Sequence, residues 1–155
     1  MRRLLIPLLV LSLTAEVNSA YAQEDEFPPG LFGRYTSEGQ TIERVDDRIA
    51  FSWGAESPDP RLSARNFSAN WSALQLIRKN TAYQYALYLQ GDAELLIDGK
   101  TVMKVSAESP QWFESDPIDL KFGEHDFELK YQKTGKAATI KLYWSSEAFP
   151  LEPIP

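Results

Sequence analysis

Apolar and polar positions alternate along most of this chain with the two-residue period of strands that bury one face. Gly30 to Tyr35 opens the series. Ile49, Phe51 and Trp53 follow, then Phe67, Ala69 and Trp71, then Tyr83, Tyr85, Leu87 and Leu89. Ala93, Leu95 and Ile97 repeat the pattern, as do Phe127, Leu129 and Tyr131, and finally Ala138, Ile140, Leu142 and Trp144. Asp98-Gly99 accepts the positive φ of a tight hairpin, which predicts reversal into Thr101-Val102-Met103. Gln90 to Asp92, between two strand-like runs, is expected to be a loop at one end of the sheet. Ser106 to Pro117, with Pro110 and Pro117 and little periodicity, is expected to be a long loop. Pro150, Pro153 and Pro155 are expected to prevent further pairing. No run is long enough for an amphipathic helix. The pattern predicts an all-β, antiparallel β-sandwich of one domain.

The first residues depart from that pattern. Arg2-Arg3 precede the apolar run Leu4–Leu11, and Ala20-Tyr21-Ala22 places small residues at the recognition positions of a secretory signal. A signal peptide over 1–22 is expected, then a short acidic leader over 23–29, then the domain over 30–155. The apolar run is short for a membrane span, so the mature form is expected to be soluble in the periplasm or outside the cell. The chain carries a formal charge of −6. Loss of Arg2, Arg3 and Glu16 with the signal takes it to −7. An acidic exported domain without a basic cluster is ill-suited to nucleic acid. The absence of cysteine excludes disulfides and thiolate metal sites.

An ordered series of short motifs adds a family resemblance. Tyr83-Gln84-Tyr85 and Glu94-Leu95-Leu96-Ile97-Asp98-Gly99 lie at its centre. Gly30-Leu31-Phe32-Gly33-Arg34-Tyr35 precedes them, as do Arg44-Val45-Asp46 with Ile49–Gly54, and Phe67–Trp71. Gly123–Tyr131 and Leu142-Tyr143-Trp144-Ser145-Ser146 follow. The series resembles the PA-fourteen domain family, the β-sandwich module named after a fragment of protective antigen, and covers nearly everything from Gly30 onward. The resemblance implies a β-sandwich that often binds carbohydrate. Sugar-binding relatives hold calcium with two adjacent aspartates in the loop before the Asp-Gly strand. Here those positions fall on Gln90-Gly91, or on Gly91-Asp92, so one or both carboxylates are missing. Calcium wants six to eight oxygens, several of them charged, so no metal and no other cofactor is expected.

Candidate catalytic groups are sparse. His125, the one histidine, stands between Glu124 and Asp126 and is expected to cover a strand edge. No serine sits in a nucleophile elbow. Asp46 and Asp47 are expected to point to opposite faces and to be solvated or paired with Arg44 and Arg48. No catalytic residue is assigned. Trp53, Trp71 and Trp144 fall on inward positions and are expected in the core. Trp112 lies outside any clear strand, beside Phe113. It is expected either to plug one end of the sandwich or to offer a ring face to a sugar. The candidate ligand contacts are therefore Gln90, Asp92 and Trp112. The expected function is non-catalytic recognition of a glycan or cell-envelope polysaccharide. The alternative is a structural or protein-interaction module of an envelope assembly that binds no sugar.

Overall fold

The computed structural model describes residues 30–154. The expected signal over 1–22 and leader over 23–29 lie outside the described residues. Ten strands and no helix make up that span. In chain order they are β1 (Leu31–Ser37), β2 (Gln40–Asp46), β3 (Ala50–Gly54), β4 (Ser68–Ile77) and β5 (Thr81–Ile97). β6 (Lys100–Glu114), β7 (Ile118–Leu120), β8 (Gly123–Gln132), β9 (Ala138–Ser146) and β10 (Phe149–Pro153) complete the set.

Every pairing is antiparallel, and one strand joins the two layers. β5 runs for 17 residues. Its first half, Tyr83–Gln90, pairs with β9; its second half, Asp92–Ile97, pairs with β8. One layer therefore reads β2-β1-β4-β8-β5. In the other, β9 lies beside β5 and carries β3 and β10 in succession along its far side. β6 follows β5 through both halves, and β7 pairs with the start of β5.

The odd-numbered residues of β5 all face inward. Tyr85, Leu87, Leu89 and Leu95 are completely buried, and Tyr83, Ala93 and Ile97 nearly so. The opposing layers meet through rings: Phe51 of β3 stacks on Trp71 of β4 at 5.8 Å, and Trp53 meets Phe67 edge-on at 5.2 Å. Trp71 and Trp144 lie in the core as the alternation predicts, with Trp53 partly buried against it. The Asp98-Gly99 hairpin also forms as expected, with φ of 51° and 72°, the paired positive values of a type I′ turn.

Three expectations are corrected. Gln90–Asp92 is not a loop but the middle of β5, where the strand passes from one layer to the other at Gly91. Ser106–Pro117 is not a loop as far as Glu114. β6 continues through it, and Leu89↔Gln111 and Gly91↔Ala107 flank an irregularity that absorbs Pro110. A bulge removes the ladder bond that proline cannot make, so proline marks a bulge here and not a strand end. β10 likewise pairs with β9 despite Pro150 and Pro153, by skipping register between Phe149 and Glu152 on an outer strand.

Asp46 is the one buried charge of β2. It accepts from the Tyr35 hydroxyl, from Trp71 Nε1 at 2.9 Å and from Arg44 Nε at 2.7 Å, while Arg44 Nη2 also reaches the Tyr35 oxygen at 3.0 Å. Arg44 thus pairs with Asp46 as expected, but around a carboxylate inside the fold. Burial first, and the Asp46 carboxylate next, push the Tyr35 phenol well above its usual range. Gly33 makes room: a Cβ there would lie 2.6 Å from Asp46 Oδ2.

Candidate functional site on the outer face of the β5–β6 ribbon

With the odd positions of β5 turned inward, Tyr88, Gln90, Asp92 and Glu94 lie along its outer face. Trp112 stands directly opposite Tyr88 in the β5–β6 register. The predicted contacts Gln90, Asp92 and Trp112 therefore occupy one face of one ribbon. Four residues of strand, about 13 Å at 3.3 Å each, separate the Tyr88 rung from Asp92.

Trp112 is not a plug. It is 52% exposed, with its ring centroid 5.2 Å from Tyr88 and 5.3 Å from Tyr143. Lys141 Nζ stands 5.9 Å from the Tyr88 centroid. The three rings and the lysine form a patch across β9, β5 and β6. Gln90 comes next, its Nε2 donating to the Glu108 carbonyl in the bulge at 3.0 Å. Beyond it Asp92 accepts from Ser106 Oγ at 2.5 Å.

Asp92 belongs to a groove of about 560 Å³ across the first layer. Two rungs of outward side chains line it. One runs Arg34, Asn70, Lys130, Glu94 and Lys104; the other runs Thr36, Ser68, Gln132, Asp92 and Ser106. Charges there are matched: Arg34 pairs with Glu43 at 2.8 Å, Lys130 with Glu128 at 3.6 Å, and Lys104 with Glu94 at 3.9 Å. Asn70 Nδ2 donates to Glu128 at 2.9 Å, but its Oδ1 is buried with no partner. Hydroxyls, amides and paired charges give the groove both donors and acceptors, which is the chemistry of a polyol partner. Trp112 is not among the residues that line it.

Gly91 shapes the junction between patch and groove. Its φ is +122°, and a Cβ there would lie 2.7 Å from the Gln132 carbonyl and 2.8 Å from the Tyr131 ring. The Tyr131 hydroxyl donates to the Gln90 carbonyl at 2.7 Å, and burial keeps that phenol protonated by pushing it well above its usual range. Among the described residues no group of three His, Cys, Asp or Glu side chains is arranged to hold a metal ion. His125 lies by the Asp98 hairpin, bonded to Asp98 and to the Lys121 carbonyl. The contacts read from the sequence lack Tyr88, Tyr143 and every member of the polar rungs except Asp92. The signal was available, since both tyrosines fall on the outward positions of strands whose inward positions were read correctly.

Residues 29–153 match the model of the PA14 (PA-fourteen) domain. The anti-sigma-I factor RsgI3 of Acetivibrio thermocellus is 27% identical over 113 residues, which are 72% of this chain and 18% of that protein. An anti-sigma factor domain-containing protein from Clostridium clariflavum superposes with a TM-score of 0.73 at 25% identity, covering 81% of this chain and 45% of that one. The chain thus spans less than half the length of either. A PA14 sugar-binding domain from an RTX adhesin, at 14% identity, shares the fold with a TM-score of 0.68 over 81% of this chain and 94% of its own.

Proposed function

The chain belongs to the PA14 domain family, and from that premise we propose that it is an exported, non-catalytic module that binds a glycan of the cell envelope. One observation carries the reading: an exposed Trp112, braced by Tyr88 and Tyr143, shares the outer face of a single ribbon with Gln90 and Asp92. An aromatic face stacks on the apolar face of one pyranose, and Asp92 with its hydroxyl neighbours, about 13 Å along the strand, meets the hydroxyls of a later sugar of the same glycan. The sugar-binding PA14 domain of the RTX adhesin supports the reading by fold alone. Export rests on the N-terminal pattern of Arg2-Arg3, the apolar run and Ala20-Tyr21-Ala22. The test is affinity electrophoresis of the mature protein through gels containing envelope polysaccharides. Retardation that Trp112→Ala removes supports the proposal; unretarded migration in every polysaccharide rejects it.

A second reading, a protein-interaction module of an envelope assembly that binds no sugar, is favoured by exposed apolar side chains elsewhere. Leu74 is 63% and Phe122 69% exposed. It predicts binding that is indifferent to Trp112.

A further inference from the structure

Among the described residues the sandwich is open along one side. β1 accompanies β4 only as far as the Phe32↔Ser72 pair, while β8 follows the other side of β4 to Ile77. The backbone of Ala73–Ile77 therefore has one flank with no strand partner among the described residues. Its sequence, Ala-Leu-Gln-Leu-Ile, holds no charge and no proline, the devices that usually protect such an edge. In the other layer β10 and β3 share the outer side of β9.

A cavity of about 640 Å³ is lined from both edges. Trp144 forms an aromatic wall, with Tyr83 stacked at 5.4 Å and Phe149 at 4.9 Å. Two of its lining residues hold buried donors with no partner, Gln75 Nε2 and Trp144 Nε1. Each residue is only 8% exposed. Gln75 has committed its Oε1 to the Tyr85 hydroxyl at 2.7 Å, so its free group is a donor, as is the indole N–H. Glu152 is the one carboxylate among the lining residues and bonds to neither donor, so both donors still want an acceptor. Arg78 and Lys79 also line it, and neither forms an ion pair among the described residues.

We propose that this edge docks an extended polypeptide segment of a partner protein, one that carries a large apolar side chain and a nearby carboxylate. Its backbone adds a strand along Ala73–Ile77, the mode in which main-chain bonds give affinity and alternate side-chain pockets give specificity. The apolar side chain enters the cavity against Trp144, and carbonyl oxygens of the segment accept from Gln75 and Trp144. The carboxylate meets Arg78 and Lys79. Side chains on the segment's other face cover Leu74 and Leu76, which are 63% and 48% exposed. A small carboxylic acid satisfies the donors and the cations but leaves the strand edge open, and a neutral sugar leaves the cations unmatched. The site is separate from the Trp112 face and does not rest on glycan recognition.

The test selects octapeptides from a displayed random library against the mature protein, then follows the bound complex by nitrogen-15 NMR. Enriched peptides are expected to pair an aromatic or long aliphatic residue with Asp or Glu. They should shift the Trp144 indole signal and slow amide exchange at alternate residues of Ala73–Ile77 at least tenfold. Leu76→Lys and Arg78→Glu should each weaken binding tenfold or more, whereas Trp112→Ala should not change it. Failure to enrich any peptide overturns the proposal, as do peptides that leave the indole and the edge amides unmoved. Equal binding by peptides N-methylated on alternate amides rejects strand addition. Edge protection already present without peptide assigns the edge to another occupant: the chain's own residues 23–29 if their deletion removes it, a second copy if dilution does.

Discussion

His125 donates from Nδ1 to the Asp98 carboxylate at 2.7 Å while its Nε2 faces the Lys121 carbonyl at 2.8 Å. Both ring nitrogens meet acceptors, so only the doubly protonated imidazolium satisfies both. The Asp98 bond first and the Lys121 carbonyl second raise the His125 pKa, and the same bond lowers that of Asp98. Asp98 also accepts from the Asp126 amide at 3.0 Å, so the pair clamps the β5–β6 hairpin to the start of β8.

A pH dependence follows. The raised histidine contributes stability that is complete below its unfolded pKa, about 6.5, and is lost as pH rises through its folded value. The lowered aspartate contributes above its unfolded value, about 4, and loses that contribution as pH falls through its folded one. The clamp is therefore strongest between about pH 4 and 6.5. Thermal melts of the native chain and His125→Gln should differ most in that window and converge above it, by no more than about 1 kcal/mol for a pair open to solvent on the Asp98 side. A difference that does not change with pH would contradict the assignment.

Asp46→Ala is expected to be far more costly. It removes the acceptor shared by Tyr35, Arg44 and Trp71 and leaves a partly buried guanidinium without its counter-charge. Removing one partner of a fully buried pair costs about 3–5 kcal/mol, and Arg44 retains some solvent, so about 2–4 kcal/mol is expected. Urea unfolding measures it. A loss below about 1 kcal/mol would show that the network is not a structural keystone.

The inward face of this fold was legible because burial imposes a period of two. Tyr83 to Ile97 keeps that period across Gly91, so the inward series is legible there even though Gln90–Asp92 reads as a loop. Gly91 and Pro110 misled for one reason. Both residues mark places where a ladder is interrupted, and interruption by a bulge cannot be told from interruption by a turn without knowing the partner strand. The buried role of Asp46 was illegible because its partners, Tyr35 and Trp71, come from two other strands. Trp112 stands apart in the sequence from the inward tryptophans, and the structure leaves it half exposed on β6. Its bracing by Tyr143 depends on β9 lying beside β5, a pairing set by topology and not by spacing.

Gly91→Ala tests the junction. A φ of +122° is open essentially to glycine alone, and the new methyl would meet the Gln132 backbone at 2.7 Å, a contact no side-chain rotation relieves. Backbone strain and overpacking each cost about 1–3 kcal/mol, so a total of about 2–6 kcal/mol is expected, read as a lower denaturation midpoint. Near-native stability would mean that the strand crosses between layers without needing this conformation.

The last prediction separates the aromatic patch from a calcium site. Sugar-binding relatives of the resembled type use two adjacent aspartates; here the corresponding stretch offers Gln90, Gly91 and Asp92. The Gln90 amide is spent on the Glu108 carbonyl, and Asp92 already accepts from Ser106. A single carboxylate so placed makes at best a millimolar site. A ligand at its Kd adds only RT ln 2, about 0.4 kcal/mol, so millimolar calcium should move the melting temperature by a degree or two at most. Binding to an envelope polysaccharide should be unchanged by chelator. Trp112→Ala should reduce that binding tenfold or more, about 1.4 kcal/mol, with stability held within about 1 kcal/mol because the ring is half exposed. Tyr88→Ala should weaken binding too, since it removes one of the two rings that hold the indole upright. A large calcium-dependent stabilisation would reinstate the metal site. Binding that survives Trp112→Ala intact would move sugar recognition to the polar groove, where Arg34→Ala and Gln132→Ala become the informative changes.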